Sequence, residues 1–224
     1  AHPPLLLVMG LGAQLTLWPI ELVEALAARG YYVIRHDNRD IGLSQKFEHG
    51  GKPSFLKIVL ARLVRLKPRL AYHLTDMAAD AAGLLDALGI DRAHVVGASM
   101  GGMIVQLLAA NHPHKVSTMT SIMSTTGNPA LPRAKPEAMK ALTERPLSAD
   151  LATVVEYSTR AAAVIGSPAY PTPKDVLRDR ITRDFNRSFY PMGAMRQMAA
   201  IIADGDRRAR LKAVTAPTLV IHGE

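Results

Sequence analysis

The stretch Ala93–Met103, AHVVGASMGGM, constrains the fold more than any other. A short apolar run ends in Gly97-Ala98-Ser99-Met100-Gly101, and an apolar helical pattern follows at once. That is strand, tight turn, helix, with the pattern G-x-S-x-G in the turn. A serine there is driven into a strained backbone conformation. Glycines two positions to either side, Gly97 and Gly101, remove the side chains that would collide with it. The hydroxyl of Ser99 is thereby lifted to the end of the sheet. The amide of Met100 and the start of the helix face the point where negative charge would develop on a reacting carbonyl. The plainer reading is a glycine-rich helix start with Ser99 as its N-cap. The buried strand before the turn and Gly102 after it favour a nucleophile.

The rest of the chain supplies the frame for that turn. Leu5–Met9 is a continuous apolar run, as in a strand covered on both faces. Pro19 opens a helix whose apolar positions are Ile20, Val23, Leu26 and Ala27, and Tyr31–Arg35 reads as the next strand. HDNRDIGLS, 36–44, is a polar loop. A basic amphipathic helix is predicted over 54–66, and Thr75 is placed as the cap of a strong helix over 76–88. Strands follow at 93–97 and 116–123, separated by a helix over 100–110. From about 125 to 213 prolines punctuate helical patterns, and no strand is predicted. Thr218–Ile221 reads as a closing buried strand. Strands alternating with helices imply a mostly parallel α/β sheet, with an inserted helical cap. The expected organisation is a core over 1–124, a helical cap over 125–213 and a return to the core over 214–224.

Composition narrows the function classes. The chain has 224 residues, of which 48% are hydrophobic, enough for a packed core. It contains no cysteine, which excludes thiol chemistry and disulfides. No apolar run reaches the roughly 18 residues of a spanning helix. No signal peptide is visible either, and together with the lack of cysteine this favours the cytoplasm. The formal net charge is +8, but between Gly51 and Leu70 stand Lys52, Lys57, Arg62, Arg65, Lys67 and Arg69 with no acid. A concentrated excess without a reading motif argues against nucleic acid. The 54–66 helix is expected to cover core or cap with its Leu/Val face; a second reading lays it on anionic lipid.

The turn VMGLGAQ admits two readings. Gly10-x-Gly12 after a strand could open a dinucleotide fingerprint, with Asp37 as its acid. The third glycine is missing, since Leu15 occupies that position, and the helix begins near Pro19, too late to hold a pyrophosphate. The alternative is that the amide of Leu11 serves as a second oxyanion donor, the small glycines letting the backbone approach the substrate.

These segments together resemble the α/β-hydrolase-fold family. HDNRDIGLS is similar to its D-x-R-G-x-G-x-S loop, with Asp40 where glycine is common; VVGASMGGM is similar to its nucleophile elbow. APTLVIHGE is similar to the strand before its acid, and Met9 stands where many members carry histidine. Within the family the chain is most similar to small esterases related to aclacinomycin methylesterase. The resemblance implies an ester hydrolase acting through an acyl-enzyme on Ser99, without cofactor or metal. Its substrate would be a hydrophobic ester, given the cap aromatics Tyr157, Tyr170, Phe185, Phe189 and Tyr190. Rival readings are a non-catalytic binding protein, a cofactor-free haloperoxidase and a C–C bond hydrolase of the same fold.

The family order is serine, acid, histidine. The acid is implied just past 218–221 and the histidine further on. The chain is therefore expected to be a fragment, incomplete at both ends and nearly inert alone. Of the residues present, His36 and His222 end strands on the relevant sheet edge, and Glu224 lies where an acid is implied. His2, His49, His73, His94, His112 and His114 carry no such expectation. Asp37 and Asp40 are expected to be structural, holding the loop around Arg39.

Overall fold

The computed structural model describes residues 2–64, 66–132, 134–144 and 146–223. In chain order the elements are β1 (Pro4–Val8), α1 (Ile20–Ala28), β2 (Tyr32–Arg35), α2 (Phe55–Leu63), α3 (Leu74–Ala87), β3 (Ala93–Ala98), α4 (Met100–Asn111) and β4 (Val116–Ile122). Then come α5 (Pro136–Thr143), α6 (Leu151–Ile165), α7 (Lys174–Arg187), α8 (Pro191–Asp204), α9 (Arg208–Leu211) and β5 (Thr218–Ile221). The strands form one sheet in the order β2-β1-β3-β4-β5, all pairs parallel.

Parallel strands need crossovers, and the helices between them cover both faces of the sheet. Alternate residues of β1 point to opposite sides. Leu6 and Val8 join a core built from α3, α4 and the inner residues of β3. Leu5 and Leu7 join a second one with Trp18, packed against Val23 and Leu26 of α1. This explains why 5–9 is continuously apolar rather than alternating. Helix α4 is buried almost all round, from Met100 through Ala109, so it too carries no polar stripe.

The chain divides into two compact units, 1–129 with 190–224, and 130–189. The predicted insertion ran over 125–213; α8 and α9 instead belong to the unit that holds the sheet. The reason is burial: Met195, Arg196, Gln197, Ala199 and Ala200 of α8 are all covered. Arg207 fastens the segment as well. It pairs with Asp204 at 2.7 Å, donates to the Thr125 carbonyl at 2.6 Å and to Gln106 Oε1 at 3.2 Å. In the 130–189 unit, Asp150 caps α6 by accepting from the Thr153 amide. There Tyr157 donates to the carbonyls of Ala141 and Glu144, and Phe185 stacks on Phe189. Tyr190, grouped with those aromatics in the sequence reading, sits in the sheet-bearing unit, where Arg196 donates to its hydroxyl.

Two further expectations are corrected, for the start of α3 and for the face of α2. Helix α3 is not capped by Thr75: it begins at Leu74, and the Asp76 carboxylate accepts from the His73 amide at 2.7 Å. The acid sits one turn in, where it complements the helix N-terminus. Strand β5 is exposed along its whole length, Leu219, Val220 and Ile221 included. It pairs with β4 on one side, the exposed edge expected of a chain that runs only to residue 224. Helix α2 buries only Ile58, while Leu56, Val59, Leu60 and Leu63 are exposed, so its Leu/Val face is not the one that covers the core.

Candidate functional site

The chain runs from β1 to β2 on one side and returns to β3 on the other side of β1. Ligands of open α/β sheets bind outside the carboxyl ends of strands at such a reversal. The two loops leaving that point carry Leu11, after β1, and Ser99, after β3.

Ser99 has φ 55° and ψ −117°, a backbone conformation side chains rarely adopt. Its neighbours explain how it is held there. A Cβ at Gly97 would overlap the Gly101 carbonyl, and one at Gly101 would overlap the Val8 carbonyl of β1. A Cβ at Gly102 would collide with Ser124. That side chain is needed in place, because its hydroxyl donates to the Ser99 carbonyl at 2.7 Å. The Ser99 amide donates to the Ile122 carbonyl at 2.9 Å, which continues the β3–β4 ladder through the turn. The turn is thus wedged between β1 and the end of β4, with Ser99 itself half-buried. Met100 opens α4, where a first-turn amide has no partner within the helix.

The β1 loop approaches closely. A Cβ at Gly10 would lie 3.1 Å from Ser99 Cβ and 3.6 Å from Ser99 Oγ. Gly12 has φ +68°, and its amide donates to Gln197 Oε1 at 2.9 Å. The Gln197 amide group donates in turn to the Arg39 carbonyl at 2.9 Å. This completely buried side chain of α8 joins the β1 loop to the β2 loop. Sequence reasoning missed it, because nothing local marks a glutamine whose partners lie about 160 to 185 residues away.

Asp37 and Asp40 organise the β2 loop. The Asp37 carboxylate accepts from the amides of Leu15 and Leu43, at 2.8 and 2.9 Å. Gly42 is small because a Cβ there would strike that carboxylate. Asp40 has φ 70°, the left-handed region that favours glycine. Its carboxylate accepts from the Phe47 amide and meets Arg196 of α8 through Nε at 2.7 Å and Nη2 at 3.0 Å. Both side chains are buried, at 0% and 3% exposure. Burial pushes the Asp40 carboxyl up, but the hydrogen bonds from Arg196 and Phe47 outweigh it and hold the group below its ordinary value. Arg39 turns elsewhere, pairing with Asp80 at 2.6 Å and lying over the rings of Phe47 and Tyr72.

The histidines are dispersed. His36 follows β2 and His222 follows β5, each two strands from β3, so roughly 10 Å of sheet separates either from the Ser99 strand. Burial pushes the His36 imidazole down, against the opposing pull of Asp80 and Asp37, and its Nδ1 has no hydrogen-bond partner. His222 is exposed, with Nδ1 at 3.0 Å from the Gly223 carbonyl oxygen. His94 lies at the opposite end of β3 and pairs with Thr118 Oγ1. His112 and His114 lie beyond the far end of α4 and contact each other. Glu224 lies outside the described residues, as does Arg65. Among the described residues no group of three or more His, Cys, Asp or Glu side chains could hold a metal ion.

Comparisons with known proteins bear on the family and the fold. Residues 3–224 match the family described as alpha/beta hydrolase fold, and the chain belongs to that family. It is similar to rhodomycin D methylesterase DauP of Streptomyces sp. (strain C5), 37% identical over 123 residues, which are 55% of this chain and 35% of that protein. It is also similar to the 2-hydroxy-6-oxononadienedioate/2-hydroxy-6-oxononatrienedioate hydrolase of Cupriavidus pinatubonensis, 28% identical over 90% of this chain and 62% of that one. Among solved structures, the enol-lactonase of Burkholderia xenovorans LB400 superposes with a TM-score of 0.67 at 22% identity, over all of this chain and 73% of that one. The match to the methylesterase thus spans about a third of its length.

Proposed function

We propose that this protein hydrolyses carboxylic esters through an acyl-enzyme on Ser99. The observation that carries the reading is the wedged turn, which holds Ser99 at φ 55° beside the first amide of a buried helix. In that arrangement Ser99 Oγ attacks the ester carbonyl, and the alcohol leaves as the acyl-enzyme forms. Water then releases the acid. The amides of Met100 and Leu11 hold the oxyanion in both steps. Met100 offers a first-turn helix donor, and Leu11 is flanked by Gly10, which lies against Ser99. The kinship with a methylesterase supports an ester as substrate. No residue among those described is assigned as base or acid.

The test is labelling of the full-length protein with a fluorophosphonate, together with turnover of short activated esters. Label is expected on Ser99. Ser99→Ala should remove the label and lower turnover by at least about a thousandfold, since losing the nucleophile leaves only oxyanion stabilisation and binding. Undiminished ester turnover in that variant would refute the proposal.

A further inference from the structure

Helix α2 is built inside out. At about 100° per residue its inner face carries Phe55, Ile58 and Ala61, of which only Ile58 is fully buried. Leu56, Leu60 and Leu63 stand on the opposite side at i, i+4 and i+7, and all three are exposed, Leu56 by 70% and Leu63 by 74%. Val59 and Val64 flank this ridge, and Leu66 extends it beyond the helix; these too are exposed. A helix packed only on its own domain turns such a stripe inward. A contiguous apolar patch left in water marks a contact surface.

The charge around the ridge selects what it contacts. Between Gly51 and Leu70 there are six cationic residues and no acid. Lys52, Lys57, Lys67 and Arg69 are exposed and line an open cavity of about 660 Å³ between α2 and residues 66–72. Arg62 is committed elsewhere, donating to the Ile202 carbonyl at 2.7 Å. A second copy of this chain meeting the same face about a two-fold axis would bring like charges together. An anionic bilayer supplies both missing complements, acyl chains for the leucines and headgroups for the cations. A helix with an apolar ridge on one side and cations beside it lies in the plane of the interface, and no helix among the described residues is long and apolar enough to cross a membrane.

We propose that α2, together with Val64, Leu66, Lys67 and Arg69, docks the protein on the surface of an anionic lipid bilayer. Leu56, Leu60 and Leu63 enter the interfacial layer. Lys52, Lys57, Lys67 and Arg69 seat the headgroups. The inference does not depend on the chemistry at Ser99.

The experiment is co-sedimentation of the full chain with vesicles of phosphatidylcholine alone or mixed with phosphatidylglycerol. Binding is expected on the mixed vesicles only, weakening as salt rises. Leu56→Ser/Leu60→Ser/Leu63→Ser changes exposed positions, so its circular dichroism should match the parent while partitioning falls at least about tenfold. Replacing the four cations by serine should lower it at least about a hundredfold. No binding to mixed vesicles, or equal binding by the triple-serine variant, overturns the proposal. So does saturable binding of inorganic phosphate without vesicle binding, which would make the cavity a free-anion site. A parent dimer that the triple-serine variant dissociates would assign the ridge to a second copy, and would overturn it too.

Discussion

Two loops leave the same end of the sheet and are held by different physics. The turn after β3 is held by missing side chains: Gly97 and Gly101 let backbone meet backbone, Gly102 makes room for Ser124, and Ser99 is held at φ 55° between them. The loop after β2 is held by polar and charged side chains: Asp37 on the Leu15 and Leu43 amides, Asp40 on Arg196. The first device is local and steric, so any added atom harms it. The second is long-range and electrostatic, so it fails when one partner is removed and the other stays buried.

The comparison is broken most severely at Gly101. Gly101→Val would drive a β-branched side chain into the Val8 carbonyl. Loss of soluble folded protein is expected, or a destabilisation of at least about 4 kcal/mol where any folds. Thermal unfolding within error of the parent would show that the turn has room.

Arg196→Met tests the other loop. It leaves the Asp40 carboxylate buried without its partner, and a destabilisation of about 3–5 kcal/mol in urea unfolding is expected. Asp40→Leu/Arg196→Met should recover part of that loss, because no unpaired charge remains. A double variant no better than the single would mean that packing, not charge, is what Arg196 contributes.

Gln197→Leu sharpens the comparison, since Gln197 of α8 bridges the β2 loop to the β1 loop at Gly12. It strands the Gly12 amide and the Arg39 carbonyl, at about 1–3 kcal/mol of stability. If the β1 loop presents an oxyanion donor, kcat for ester turnover should fall more than KM rises, and Gln197→Glu, which keeps the acceptor for Gly12, should retain more of kcat. Equal losses in both variants would leave Gln197 a purely structural residue.

The smallest effect is the pH response. The Asp40 carboxyl titrates below its unfolded value of 3.8. Its contribution is therefore complete above that value and is lost as pH falls through the lower folded one. Arg196→Met should shrink this contribution, because burial still pushes the carboxyl up while the strongest hydrogen bond holding it down is lost. Stability measured against pH in the two proteins checks this; parallel acid limbs would count against it.

Much of the frame was legible before any coordinates. β1 was readable because a strand covered on both faces is a continuous apolar run. The elbow was readable because its glycines and serine act within six residues. What sequence could not reach was everything that depends on a partner far along the chain. The leucines of α2 have helical spacing, but spacing does not say which side faces inward. Most of all, α8 falls in a proline-punctuated stretch that reads like its neighbours, and only packing assigns it to the sheet-bearing unit.

The sequence by itself determined the parallel α/β class and the strained turn at Ser99, because both follow from residues in contact with their near neighbours. The tertiary structure alone decided that Arg196 and Gln197 brace the two loops beside that turn. Their partners lie about 145 to 185 residues away, at Gly51, Asp40, Arg39 and Gly12, and no local pattern in a chain encodes a pairing over that distance.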